Sequence, residues 1–187
     1  YVQSGVAMPC GCKMRHSFLL LQGPATPFFA RLAQRLRADG HAVHRVYFCS
    51  GDVLYGTNST ATWFREPVEA LVSFLDALYR RFGITDQILF GDRRWVHRPA
   101  VAHGEACGVR THVFEEGYFR PHWVTLEREG VNGHSLLPRD PDWFWEAGGR
   151  LAESAPPVAF HSPFYKRALH DVAYHVAGLA NPLLFPH

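Results

Sequence analysis

The sequence predicts an α/β fold, a Rossmann-like three-layer domain with a parallel sheet. Short apolar segments typical of strands alternate with longer segments that carry apolar residues at helical spacing. A polar segment that contains a glycine follows each of the four main predicted strands. Such alternation is typical of parallel sheets with right-handed crossover connections. In these sheets ligands bind beyond the carboxyl ends of the strands, so we expect the polar segments to meet there.

The composition indicates one globular domain, which we assign to residues 14–187, with residues 1–13 as an extension before it. Of the 187 residues, 47% are hydrophobic, which is enough for a full core. The net charge of +2 and the scattered arginines argue against a nucleic-acid-binding protein. The sequence has no run of about 18 apolar residues and no signal-peptide pattern, so we expect a cytoplasmic or peripheral membrane protein.

The first half of the domain alternates strand and helix. Ser17–Leu21 is a short apolar run that ends in a Gly-Pro turn, and it predicts the first strand. Apolar residues at helical spacing over Phe28–Ala38, stopped by an Asp-Gly pair, predict the first helix. The alternating pattern of Ala42–Phe48 predicts the second strand, and residues 53–65 are predicted as a loop.

The middle of the chain repeats this pattern. A second helix is predicted to begin at Pro67, a residue favoured at the first helical position, and to end at Gly83. Its interior carries an apolar stripe. Asp86–Phe90 predicts the third strand, residues 95–107 the third helix, and Val109–Phe114 the fourth strand.

The last third of the chain is richer in turn residues. Trp123–Leu126 predicts a short strand, and Gly130–Ser135 predicts a loop. Helices are predicted over Pro141–Leu151 and over residues 163–179, the second of which has an apolar face and is ended by an Asn-Pro pair.

Two adjacent carboxylates follow the fourth strand, in the stretch Phe114–Pro121. Burying such a pair costs several kcal/mol unless donors or a cation compensate, so the pair predicts a functional site. A salt bridge from Arg120 to one glutamate, with the other in solvent, is the alternative. Because successive strand residues point to opposite faces, only one carboxylate can aim at a reacting atom. Gly117 permits close approach of a ligand or a simple turn, and it favours Glu116 as the exposed, catalytic residue and Glu115 as its support.

Polar residues at the other strand ends are candidate substrate-binding residues. Asp92 is followed by several arginines and a histidine at the start of a helix, where an anionic group such as a phosphate or a sugar carboxylate binds. A solvated basic surface is the alternative. The candidate set consists of Gln22, Gly23, Asp52, Asp92, Arg93, His97, Arg120, Asn132 and His134.

The sequence predicts no metal site. Cys10 and Cys12 lie near His16, but their spacing is not that of a zinc knuckle. The twelve histidines form no HExxH pattern or other recognised metal spacing. Free thiols in a reducing compartment are therefore expected.

Five segments together resemble the bacterial capsular polysaccharide biosynthesis and export proteins that act as β-Kdo transferases, most closely the KpsS-type members. These segments are Phe18–Pro24, Phe90–Arg93, Val113–Tyr118, Leu126–Ser135 and Asp171–His175. The resemblance implies a GT-B-like glycosyltransferase with two Rossmann-type domains. Such an enzyme moves Kdo from CMP-Kdo, with retention, to a lipid-linked acceptor, either a lysophospholipid or a Kdo-primed chain. This chain would be the N-terminal half, with a second, nucleotide-binding domain expected beyond residue 187.

The resemblance also assigns roles to residues. Related enzymes carry Glu-Asp-Gly where this chain has Glu115-Glu116-Gly117, and their second acid is the proposed nucleophile. The nucleophile would therefore be Glu116, with Arg93 or Arg120 binding the carboxylate of Kdo. No cofactor or metal is implied, because cationic groups suffice for the departing CMP. The implied setting is the cytoplasmic face of the inner membrane, beside other capsule assembly proteins. The alternative function is a non-catalytic binding module of a capsule export assembly.

Overall fold

One sheet organises the part of the chain that the computed structural model describes, which comprises residues 15–56, 61–117, 123–150 and 164–185. Within these residues the sheet has six strands, β1 (Ser17–Leu20), β2 (Ala42–Tyr47), β3 (Ala61–Trp63), β4 (Asp86–Phe90), β5 (Arg110–Glu116) and β6 (Val124–Arg128). Their order is β3-β2-β1-β4-β5-β6. Strands β1 to β5 run parallel to one another, and β6 pairs antiparallel with β5. The predicted parallel α/β sheet is confirmed.

The described helices are α1 (Phe28–Ala38), α2 (Ser50–Leu54), α3 (Leu71–Phe82), α4 (His97–Ala106), α5 (Pro141–Arg150), α6 (Phe164–Gly178) and α7 (Asn181–Leu184). Helices α1 to α4 lie between strands along the chain, and the remaining described helices follow β6. Short 3-10 turns lie at Val68–Ala70 and Asn132–His134. Gly83 ends α3 with a φ of +57°, as its predicted capping role requires. None of the helices in the described ranges has both the length and the apolar character needed to cross a membrane.

Two apolar layers hold the helices against the sheet. One layer contains Leu19, Leu89 and Val113 of the strands with Leu71, Leu75 and Ala100 of α3 and α4. The other contains Leu20, Ile88 and Phe114 of the strands with Phe29 and Ala33 of α1. Leu19 and Leu20 are both fully buried, on opposite faces, because the side chains of a strand alternate. Burying each such side chain contributes about 1.5–3 kcal/mol, and burial on both faces gives the predicted three layers.

Residues 53–65, predicted as a loop, contain the end of α2 and the edge strand β3. β3 pairs with β2, with Trp63 opposite Tyr47. Trp63 also stacks on Phe185, with ring centroids 5.3 Å apart. The loop prediction is wrong here because three residues are too few to show a strand pattern, and the partners of the strand lie far away in sequence.

β5 continues through Glu116, two residues beyond its predicted end at Phe114. Pairing with β6 extends it, because Glu115 lies opposite Thr125 and Glu116 lies opposite Val124. Both glutamates are therefore strand residues. Their side chains point to opposite faces of the sheet, as the strand argument predicts.

Candidate active site

The carboxyl ends of the parallel strands meet at one edge of the sheet. The predicted site segments that follow β1, β2 and β4 lie along this edge, together with the end of β5. β1 and β4 are central neighbours, and the helices after them, α1 and α4, pack on opposite faces. In open α/β sheets this arrangement forms a crevice in which ligands bind. The expected convergence of the strand ends is confirmed.

A cavity of about 280 Å³ lies at the ends of β4 and β5, and we call it the charged cavity. It is lined by Phe90, Gly91, Asp92, Arg93, Arg94, Glu115 and Asn132. Two carboxylates, two guanidinium groups and one amide thus converge on a small volume. Guanidinium groups bind carboxylates and phosphates through paired hydrogen bonds. The charged cavity can therefore hold an anionic substrate group close to a carboxylate.

Glu115 lines the charged cavity, whereas Glu116 is exposed and points to the other face of β5. The Oε1 atom of Glu115 accepts a 2.9 Å hydrogen bond from the backbone N–H of Glu116. Its Oε2 atom lies 3.3 Å from the place that a Cβ atom at Gly91 would occupy. Gly91 also has a φ of +72°, which disfavours any side chain. Glycine at position 91 therefore lets the loop after β4 approach Glu115 closely.

Gly117 accommodates the protein's own backbone. A Cβ atom at this position would overlap the carbonyl group of Trp123. The N–H of Gly117 donates to that carbonyl over 3.1 Å, which continues the pairing of β5 with the chain before β6. The close approach that glycine permits here is therefore to the protein's own backbone, and Gly117 is not among the described glycines that have a positive φ.

Asp92, Arg93 and His134 form a polar group at the charged cavity. Asp92 is 8% exposed, and its Oδ2 lies 3.7 Å from Nε of Arg93 and 3.5 Å from Nδ1 of His134. Nε of Arg93 donates to the same Nδ1 over 3.0 Å. Nδ1 of His134 therefore accepts from Arg93, which leaves the ring proton on Nε2. The predicted loop that contains Asn132 and His134 does lie beside the acidic strand end.

His97 lies beneath the loop that follows β4, and its side chain is fully buried. Its Nδ1 donates to the carbonyl of Gly91 over 2.6 Å. Burial, reinforced by the positive charge of Arg94, lowers the pKa of His97 to about 3, so the ring is neutral. The side chain therefore holds the loop after β4 in place and does not line the charged cavity.

Arg94 joins the loops that follow β4 and β1. Its Nη1 donates to Oε1 of Gln22 and to the carbonyl of Gly23, each over 3.1 Å. A Cβ atom at Gly23 would come within 2.9 Å of the Phe29 ring, so this glycine allows the loop to pass close to α1. Gln22 and Gly23, predicted to bind substrate, are thus already engaged with Arg94.

A second cavity of about 300 Å³, which we call the aromatic cavity, adjoins Gln22. It is lined by Gln22, Phe48, Cys49, Trp95, Tyr174, Asn181 and Phe185. Aromatic walls with a few amide and hydroxyl groups are typical of sites for small organic ligands. The predicted residue Asp52 supports this cavity from beneath, because it is only 5% exposed and accepts a 3.2 Å hydrogen bond from the Tyr174 hydroxyl.

A chain of hydrogen bonds orders the floor of the aromatic cavity. Oδ2 of Asp52 accepts from the N–H of Phe48 over 2.9 Å. Sγ of Cys49 lies 3.0 Å from the Tyr174 oxygen, and burial raises the pKa of the Cys49 thiol. The thiol is therefore protonated, and the Tyr174 hydroxyl beside it donates to Asp52. Burial also raises the pKa of Asp52, and its hydrogen bonds to Phe48, Cys49 and Tyr174 oppose that rise.

Tyr174 reaches this position because Gly51 leaves room for its ring. A Cβ atom at Gly51 would overlap the ring carbons, so α6 packs on α2 only over a glycine. The N–H of Ser50 donates to Oδ1 of Asn181 over 2.8 Å, which ties α7 to the same turn.

The prediction of site residues from the sequence missed several residues at the carboxyl edge of the sheet. Arg94, Trp95, Tyr174, Asn181 and Phe185 line the cavities but were not among the predicted site residues. Tyr174 lies in the Asp171–His175 segment that carries the family resemblance, which was the available signal. Arg120, which was predicted to bind substrate, and the extension of residues 1–13 lie outside the described residues.

Comparison with known proteins identifies relatives of capsule biosynthesis. Two proteins named capsule polysaccharide modification protein LipB, from Neisseria meningitidis serogroup B and serogroup A, are each 36% identical over 174 residues, which cover 91% of this chain. The capsule polysaccharide export protein KpsS of Escherichia coli is 38% identical over 127 residues, which cover 68% of this chain and 33% of that protein. No solved structure is significantly similar to the chain.

The chain spans 42% of the length of the LipB proteins that it matches. A family model described as capsule polysaccharide biosynthesis protein matches residues 84–187, which is more than half of the chain and includes the charged cavity. The resemblance to KpsS-type proteins noted from the sequence is confirmed by these matches. The chain belongs to the capsule polysaccharide biosynthesis protein family.

Proposed function

We propose that this chain forms part of a retaining glycosyltransferase that moves Kdo from CMP-Kdo to a lipid-linked acceptor during capsule assembly. Membership of the capsule family supports a role in capsule assembly. The charged cavity supports the transfer of an anionic sugar. The proposed place of action is the cytoplasmic face of the inner membrane. The proposal concerns the whole protein, of which this chain supplies the domain described above.

The single observation that supports this proposal most is the convergence of Glu115, Arg93 and Arg94 in the charged cavity. Kdo carries a carboxylate, and CMP leaves as a phosphate. The guanidinium group of Arg93 is about half exposed, with 49% of its side-chain surface accessible, so it can pair with the carboxylate of Kdo. The Glu115 carboxylate lines the same cavity, and Glu116 follows it at the end of β5.

Glu116 is the proposed nucleophile, with Glu115 in support. The Glu116 carboxylate is exposed at the strand end, on the face of β5 away from the charged cavity, so the proposal requires the anomeric carbon of Kdo to lie at the end of β5 while its carboxylate pairs with Arg93. Glu115 uses Oε1 to accept the Glu116 N–H and so holds that residue in position. A carboxylate oxygen of Glu116 bonds to the anomeric carbon while the bond from that carbon to the CMP phosphate oxygen breaks, and CMP leaves with the electron pair. The acceptor hydroxyl then attacks the same carbon, gives its proton to water and releases the glutamate as a carboxylate. Two displacements give retention.

Mass spectrometry of the native full-length protein tests these roles. After incubation with CMP-Kdo in the absence of acceptor, we expect one added Kdo on the peptide that contains both glutamates, with fragmentation placing it on Glu116. Glu116→Gln should abolish the adduct and the transfer. Glu115→Gln should slow transfer but still allow the adduct. An adduct on Glu115, or undiminished transfer by Glu116→Gln, would refute the assignment.

The alternative is a non-catalytic binding module, which the name of the export protein KpsS favours. Release of CMP from CMP-Kdo in the presence of a lipid-linked acceptor separates the two functions. A transferase releases CMP in step with product. A binding module releases none, and it keeps its affinity for the polysaccharide or for its partner when both glutamates are replaced by glutamine.

A further inference from the structure

Three potential metal ligands lie together on the layer formed by α3 and α4. Asp76 belongs to α3, His103 belongs to α4, and Cys107 directly follows α4. One donor atom from each, a carboxylate oxygen, a ring nitrogen and the thiol sulfur, lies within 4.8 Å of the other two. None of the three residues lines the charged or the aromatic cavity. The cluster is therefore separate from the candidate active site.

Two of the three donor-atom separations are close to those around a single tetrahedral ion. Nε2 of His103 lies 3.7 Å from Oδ1 of Asp76 and 3.6 Å from Sγ of Cys107. Zinc bonds of about 2.0–2.3 Å at tetrahedral angles place ligand atoms roughly 3.3–3.6 Å apart. The nitrogen–oxygen separation is longer than a hydrogen bond but within the range of an ion pair, and the nitrogen–sulfur separation is within hydrogen-bond reach of a sulfur atom.

Neighbouring side chains hold two of the ligands in place. Nη2 of Arg80 lies 2.5 Å from Oδ2 of Asp76, and the other oxygen, Oδ1, is the one nearer His103. The His103 ring stacks on Tyr79, with centroids 5.3 Å apart and planes 14° apart. Tyr79 in turn donates from its hydroxyl to Oε1 of Gln87 over 2.7 Å. Outer contacts of this kind orient the ligands of metal sites.

We infer that Asp76, His103 and Cys107 bind a Zn²⁺ ion that ties α3 to α4. An oxygen, a nitrogen and a sulfur form the mixed ligand set that zinc accepts, with water in the fourth position. A carboxylate and a thiolate together balance the charge of the ion. α4 begins after the carboxyl end of β4, and His103 lies near the other end of that helix. The ion stabilises the helical layer and takes no part in sugar transfer, so the inference does not depend on the proposed function.

Zinc binding by the native full-length protein is the first test. Cys10→Ser and Cys12→Ser are introduced together to remove the N-terminal thiols, and this variant is the parent for all measurements. Equilibrium dialysis against zinc chloride alone, followed by elemental analysis, should give one zinc per chain. Because each ligand contributes a metal bond, His103→Gln and Cys107→Ser should each weaken zinc binding by at least about tenfold. Glu105→Gln, which alters an exposed carboxylate on α4, should leave binding unchanged.

Cobalt substitution identifies the sulfur ligand. With cobalt chloride, the parent should show a thiolate-to-cobalt charge-transfer band that is lost in Cys107→Ser and kept in Cys49→Ser. Zinc should also raise the thermal midpoint of the parent and leave that of His103→Gln unchanged. The metal-free midpoints of parent and variant are compared so that lost binding is not confused with unfolding. Absence of the thiolate band, or unchanged zinc affinity in His103→Gln and Cys107→Ser, would overturn the inference.

Discussion

Arg94 donates from Nη1 to the side-chain oxygen of Gln22 over 3.1 Å. Arg94 lines the charged cavity and Gln22 lines the aromatic cavity, so this hydrogen bond connects the two. The same nitrogen donates to the carbonyl of Gly23, which sets the distance between the loops after β1 and β4. The two cavities at the centre of the sheet edge therefore share one structural link.

Replacing Arg94 tests this link. We expect Arg94→Gln to lower the free energy of unfolding by about 1.5–3 kcal/mol, because a charged donor to two acceptors is lost. Urea-induced unfolding followed by circular dichroism measures the change. Arg98→Gln is the matched control, since Arg98 is exposed in the first turn of α4, four residues after Arg94, and a change within about 0.5 kcal/mol is expected there. If both substitutions changed the free energy of unfolding equally, the hydrogen bonds of Arg94 would contribute nothing to stability.

His97 should make stability depend on pH. Its pKa is about 3 in the folded protein and about 6.5 when unfolded, so the unfolded chain binds the extra proton below pH 6.5. Stability from this group is present above pH 6.5 and falls by up to about 1.4 kcal/mol per pH unit as the pH drops towards 3. His97→Phe, which cannot titrate, should remove that slope between pH 6 and 4. If the unfolding free energies of the unsubstituted protein and of His97→Phe changed equally with pH, the prediction would be contradicted.

Asp86 stabilises the opposite, amino-terminal edge of the sheet. It is 2% exposed and accepts hydrogen bonds from His112, Thr85 and Arg110 at 2.8, 2.7 and 2.7 Å. Burial raises the pKa of Asp86, but these bonds outweigh burial and hold the pKa at about 2. The stabilisation is therefore complete above the unfolded pKa of about 3.9 and is lost as the pH falls through 2.

Asp86→Asn should reduce the free energy of unfolding at pH 7 by about 1.5–3 kcal/mol, because hydrogen bonds to a charged acceptor are weakened. Asp39→Asn is the control, since Asp39 takes part in an exposed pair with Arg35 and should contribute less than about 1 kcal/mol. The difference between the variant and the parent protein should shrink as unfolding is measured at lower pH. A constant difference down to pH 2 would disagree with the assigned pKa.

Gly51 should not tolerate a methyl group. Gly51→Ala places a Cβ atom against the Tyr174 ring, and we expect a loss of about 1–3 kcal/mol in unfolding free energy from overpacking. Gly148→Ala in α5 has nothing within 4 Å, so it should stabilise the protein or leave it unchanged. Unfolding in urea compares the two variants. A neutral Gly51→Ala would show that α6 does not pack on α2 in this way.

The strands and helices with clear local patterns were predictable. α1 and β4 have the bounds that the sequence predicts, because apolar spacing and flanking turn residues lie within the same short segment. β3 was not predictable, since its partners, Tyr47 and Phe185, lie far from it along the chain. The end of β5 was misplaced for the same reason, because β6 extends it.

The residues of the candidate site were likewise predictable only in part. The sequence placed Asp92, Arg93, Asn132 and His134 near the acidic strand end, because parallel strands bring their carboxyl ends together. It did not distinguish residues that line a cavity from residues that support one. Asp52 is buried under a side chain from α6, an arrangement that rests on a contact across more than one hundred residues.

By itself the sequence determined the layered α/β fold, the edge at which the polar segments meet and the capsule family, since each depends on local pattern or on matched segments. Only the tertiary structure decided that Glu115 lines the charged cavity, that Arg94 links two cavities and that Asp76 approaches His103. The physical reason is that side-chain direction and close packing depend on neighbours from other elements, which no local pattern encodes.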